Sequence, residues 1–177
     1  YFSGQMPDLY RPFTSFSIWL FAIAFGKSAT VFHSLSIIGL TAAAGSLGLL
    51  CSKITGGKHC RDVGFAAFLV FLVHPLSAEV LCMAVNVSDH LTLFFSCCAI
   101  ITAIRIIKRQ ASRLGILWLF LSCLGACLSK EIGVLVAVAP LAAYALAKQS
   151  DDNLTISRLK SFSIWAASIV PVIIYLI

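Results

Sequence analysis

ATVFHSLSIIGLTAAAGSLGLLC, residues 29–51, runs for twenty-three positions without an Asp, Glu, Lys or Arg. At ~1.5 Å per residue, a helix of that length crosses a hydrocarbon layer of ~30 Å. The run shows no dyad alternation of apolar and polar residues, so it reads as helix and not as barrel strand. Other apolar runs flank it. Val63 to about Leu81, Leu91–Ile107, Leu114–Leu128, Ile132–Ala147 and Phe162–Ile177 are read as further spans, the first interrupted by His74-Pro75 and Glu79. Pro12–Phe25 is shorter and carries Thr14, Ser15 and Ser17, which predicts a helix lying along the interface. The expected fold is therefore all-α: a polytopic bundle of six transmembrane helices plus one interfacial helix. Residues 1–28 form an outer loop with that helix, and residues 29–177 form the bundle.

Composition supports a membrane setting. Hydrophobic residues make up 60% of the 177 and charged residues 11%, with a mean hydropathy of +0.98. Soluble domains hold ~45–50% apolar and ~25% charged residues. The net charge of +6 does not read as a nucleic-acid footprint, because no basic stripe interleaves with aromatics. Cys97, Cys98, Cys123 and Cys127 lie inside apolar runs, where cysteine behaves as a small hydrophobe. No second pair with His at ligand spacing accompanies them, so neither a metal nor any other cofactor is expected. The sequence begins at Tyr1 and stops inside an apolar run, and is expected to be a piece of a longer polytopic protein.

Charge sets the orientation. Segments 51–62, 105–113 and 148–160 hold ten of the thirteen basic residues and three of the seven acidic ones, leaving balances of +7 on their side and −1 on the other. The positive-inside rule makes their side cytoplasmic. Asn153-Leu154-Thr155 is then an unglycosylated inner sequon, and Asn86-Val87-Ser88 sits too close to the membrane for a good acceptor. The outer side keeps Asp8, Arg11, His74, Glu79, Asp89, His90, Lys130 and Glu131. Ionisable groups bordering a span cost ~2.5–3.5 kcal/mol each on insertion scales unless they find partners or water. Arg11, His74, Glu79, Asp89, Lys130 and Glu131 are accordingly expected to converge on one outer cavity. The plainer alternative is that each caps or anchors a helix end at the interface, with His74-Pro75 marking a kink.

Five short motifs also occur in a meaningful order. They are Tyr10-Arg11-Pro12-Phe13, Phe32-His33-Ser34-Leu35, His74-Pro75-Leu76-Ser77-Ala78-Glu79-Val80, Ser88-Asp89, and Ser129-Lys130-Glu131-Ile132-Gly133. In order and spacing they resemble the GT-C polyprenyl-phosphate-sugar glycosyltransferases. Within that group the likeness is to the transmembrane O-mannosyltransferases with C-terminal TPR repeats and to their bacterial relatives. The resemblance covers about residues 10–147. It implies a membrane enzyme that moves a sugar from a polyprenyl-phosphate donor to an acceptor on the outer or lumenal face. The membrane would be the bacterial inner membrane or the endoplasmic reticulum. It also implies Arg11 and Lys130 as cations for the leaving phosphate, with His74, Glu79, Asp89 and Glu131 positioning the sugar or those cations. Expected partners are membrane lipids, the polyprenyl-phosphate sugar, and a protein acceptor or a larger membrane complex, with no nucleic acid.

The chain departs from this pattern twice. The group's acidic pair, its source of a general base, lies upstream of the Tyr-Arg-Pro motif, where Asp8 is the one acid here. Where relatives have Gly-Arg-x-Asp, this chain has Asn86-Val87-Ser88-Asp89. A second reading from another class is therefore a non-catalytic membrane scaffold or accessory subunit that keeps the fold. A transporter is weaker, because no paired broken helices occur in two halves.

Overall fold

The computed structural model describes residues 11–77, 86–108, 113–143 and 158–176. Its elements are α1 (Pro12–Phe25), α2 (Ala29–Thr55), α3 (Cys60–Val73), α4 (Val87–Ile107), α5 (Arg113–Ser129), a 3-10 helix (Glu131–Ala137) and α6 (Arg158–Leu176). Every one is helical, and no strand occurs among the described residues. The backbone polar groups thus close inside each element, as an apolar sequence requires when no sheet is present to pair them.

Packing follows the chain order. α2 lies against α3 and α4, α4 against α5, and α5 against α6 and the 3-10 helix. The core cluster is drawn at helical spacing: Ala99, Ala103, Ile106 and Ile107 from α4, and Leu119, Cys123 and Ala126 from α5. Val136, together with Ile164 and Ala167 from α6, closes it. Five of these ten residues are Ala or Cys, small enough to let helix axes approach. α2 and α3 approach closely. A Cβ added at Gly48 would stand 2.7 Å from the Gly64 carbonyl oxygen, and one added at Gly64 would stand 2.7 Å from the Gly48 oxygen. Gly125 plays a related part on α5, where the Phe95 ring of α4 lies flush against its backbone.

The boundaries differ from the expected ones where local hydrogen bonding outlasts polarity. Segment 51–62 reads as a polar loop, yet α2 continues through Thr55 and α3 starts at Cys60. The helix ends only at Gly56, whose φ of 59°, followed by 71° at Gly57, turns the chain by a route open to glycine. α3 stops at Val73 because His74 takes the extended conformation that a following proline favours. The expected span from Val63 to Leu81 is therefore broken at His74, with residues 75–77 helical again beyond it, and Leu81 lies outside the described residues.

Length separates the helices further. Among the described residues two, Ala29–Thr55 and Val87–Ile107, are long and apolar enough to cross a membrane. Pro12–Phe25, Leu114–Ser129, Glu131–Ala143 and Phe162–Leu176 are apolar but shorter than that. α1 touches α2, α4 and α5 and buries Thr14 alone. Phe16, Trp19, Leu20 and Ile23, spaced at i, i+3, i+4 and i+7, stay exposed.

Candidate functional site

The site is assembled where α5 breaks. Lys130 follows Ser129 with φ −158° and ψ 150°, an extended residue between α5 and the 3-10 helix. Neighbouring side chains on extended backbone point to opposite sides. Lys130 and Glu131 are thereby sent to different partners. Lys130 Nζ donates to Asp89 Oδ1 in the first turn of α4, where the helix macrodipole also favours a carboxylate. Glu131 turns toward α1. Arg11 Nε donates to its Oε1 at 3.0 Å and Arg11 Nη2 to its Oε2 at 3.1 Å, a bidentate fork.

Arg11 is held by its place in α1. It is the N-cap residue, and Pro12 with its fixed φ starts the helix without needing a donor. One turn on, the buried Thr14 hydroxyl donates to the Ser129 carbonyl at 2.9 Å, docking α1 onto the end of α5. Phe13 packs edge-on against Phe95, with ring centroids 5.2 Å apart. Two of the three hydroxyls expected to face an interface are thus spent on carbonyls, for Ser17 donates to the Phe13 oxygen at 2.8 Å, while Ser15 is exposed.

The two pairs influence each other. Glu131 is held below the usual carboxylate range by the hydrogen bonds from Arg11, opposed by partial desolvation and aided by the charges of Arg11 and Lys130. Arg11 is raised in turn, first by its bond to Glu131, with smaller contributions from the charges of Glu131 and Asp89. Glu131 and Asp89 are each 41% exposed, so water screens part of this coupling.

Beside the pairs lies a cavity of about 560 Å³ between α2, α3 and α4. Leu47, Val70, Phe71 and Leu93 line its apolar body, and His74, Asp89 and His90 supply its polar groups. His74 sits at the break after α3, its Nδ1 accepting from the Leu76 N–H at 3.3 Å. Of the six expected residues, Arg11, Asp89, Lys130 and Glu131 thus meet in two ion pairs, and His74 shares the cavity with Asp89. Glu79 lies outside the described residues.

His90 was not among the expected site residues. It is 3% exposed and packs against Gly39 of α2. Its Nε2 has no hydrogen-bond partner among the described residues. An imidazole nitrogen buried without a partner is costly. Nothing local in the sequence pairs Gly39 with His90, 51 positions away. No group of three His, Cys, Asp or Glu side chains that could hold a metal ion occurs among the described residues. The chain matches no protein-family model, no characterised protein and no solved structure.

Proposed function

We propose that this chain is the membrane-embedded region of a GT-C-like glycosyltransferase. In this reading it is a polytopic bundle that takes sugar from a polyprenyl phosphate on its outer face. The observation that carries the reading is the meeting of four ionic groups from three sequence-distant segments, Arg11, Asp89 and Lys130-Glu131, beside an apolar cavity. Two helices of spanning length and the wide exposure of apolar side chains such as Val70, Trp118 and Phe162 support the membrane setting.

The chemistry asks for this arrangement. The acceptor oxygen attacks the anomeric carbon, and the bond from that carbon to the phosphate oxygen breaks, its electron pair leaving on the phosphate. Charge develops on that oxygen, and cations placed in advance lower the barrier. The Arg11 fork, engaged by Glu131 when the site is empty of substrate, matches phosphate as well as carboxylate. Lys130 supplies a second charge, and Asp89 and Glu131 hold both cations in position. The cavity takes the start of the isoprenoid chain. The acceptor proton goes to a base that the family resemblance places upstream of Arg11.

The test is sugar transfer from a polyprenyl-phosphate donor by the full-length protein. Lys130→Ala and Arg11→Ala should each lower kcat by about 10²–10³, the usual cost of one electrostatic donor. A second reading, the non-catalytic scaffold, is favoured by the fact that both cations already have carboxylate partners and that Asn86-Val87-Ser88-Asp89 lacks the relatives' arginine. The double variant Asp89→Asn/Lys130→Met separates the two. On the scaffold reading the unmodified protein transfers no sugar and the double variant is as stable as it, whereas on the enzyme reading the unmodified protein transfers sugar and the double variant does not.

A further inference from the structure

A second cavity, of about 570 Å³, opens between α2, α4 and α5 and runs from Phe94 to Arg105, toward the end of α4 opposite the ion pairs. Leu49, Phe94, Ile101 and Trp118 give it apolar and aromatic walls, and Thr102 and Arg105 bring polar groups toward one end. Phe94 to Arg105 covers about 16 Å of helix, roughly half of a ~30 Å hydrocarbon core and so the depth of one leaflet. Arg105 and Lys108 are exposed, one turn apart at the end of α4. The sequence from 105 to 113 holds four cations, Arg105, Lys108, Arg109 and Arg113, and no acid. An apolar groove one leaflet deep thus ends at a basic mouth.

We propose that this groove is a binding site for an anionic glycerophospholipid of the leaflet on the basic side. One acyl chain lies along Phe94, Ile101 and Trp118, and the phosphate sits at Arg105 and Lys108. Charge complementarity selects the occupant. A zwitterionic lipid fills the same apolar wall but brings its own cation to the mouth, and a polyprenyl phosphate is expected at the opposite end. Each Lys or Arg near an anionic surface is worth about fivefold in affinity. The inference rests on the membrane placement proposed above and not on sugar transfer, so an inactive enzyme would leave it standing.

Trp118 supplies the readout. In full-length protein carrying Trp19→Phe and Trp165→Phe, fluorescence from the bundle comes from Trp118, with tryptophans outside this region likewise replaced. The protein is reconstituted in phosphatidylcholine vesicles with a minor share of brominated lipid, which quenches on contact. Brominated phosphatidylglycerol should quench Trp118 at a several-fold lower share than brominated phosphatidylcholine, and Arg105→Gln should remove most of that preference. Arg105→Lys should keep it. Equal quenching by the two lipids would overturn the site. A preference for phosphatidylglycerol that survives both Arg105→Gln and Lys108→Gln would overturn it too, by assigning the charge effect to the wider basic loops.

Discussion

The α2–α3 hairpin and the α1–α5 junction are held together by opposite means. At the hairpin, Gly48 and Gly64 bring two backbones into contact with no charged group between them. At the junction, side chains reach across: Thr14 to a carbonyl, Arg11 to Glu131, and Lys130 to Asp89. The first is a contact of shape, set by what is absent from the side chains. The second is a contact of charge and hydrogen bonding, set by what is present. Shape contacts ignore pH and salt but tolerate no added atom, whereas ionic contacts tolerate substitution and respond to the solvent.

The largest expected effect is on the hairpin. Gly64→Leu places carbon against the Gly48 carbonyl and the Ser52 side chain, and should cost about 3 kcal/mol. Thermal unfolding in detergent checks this, and a change below 1 kcal/mol, on the scale of routine substitutions, would mean the helices can slide apart freely. Thr14→Val comes next. It leaves the Ser129 carbonyl without its donor at a buried position and should cost about 2 kcal/mol, read as earlier proteolysis between α1 and α2. Arg11→Ala should cost about 1 kcal/mol, since its pair is partly exposed. Arg11→Lys should recover less than half of that, because an ammonium cannot form the fork.

The smallest effect is the dependence on pH, and its sign follows from Glu131. The carboxyl is lowered in the folded chain from its ordinary value of 4.5. Its contribution is therefore present above that value and lost as pH falls through it toward the depressed folded value. Docking of α1 should weaken across that acid range, most clearly at low salt. Hydrogen-exchange protection at the α2–α3 hairpin, taken relative to the intrinsic rate at each pH, should stay level over the same range. If both regions loosened together, the contrast between shape and charge would be wrong.

Much of this was legible in the chain. Apolar runs without dyad alternation meant helices, and the two charged residues of Ser129-Lys130-Glu131 divide two of those runs from each other. The Lys130–acid pairing was foreseeable from energetics, as charges bordering apolar helices need partners. The ends of α2 and α3 were not legible, because Ser52, Lys53 and Thr55 are polar by type yet remain on the hydrogen-bond ladder until Gly56 breaks it. Nor was His90, whose environment is made by a glycine on another helix.

The sequence by itself determined that the chain is helical, where its charges cluster, and which residues were available to pair, because those follow from local periodicity and from the cost of isolated charge. Only the tertiary structure decided the pairing itself. Arg11 could have taken Asp89 or Glu131. It takes Glu131 because Lys130 is extended, which sends the two hinge side chains to opposite sides, and because the bond from Thr14 to Ser129 fixes α1 beside one of them. Partner choice depends on distances between segments more than a hundred residues apart, and no local pattern encodes them.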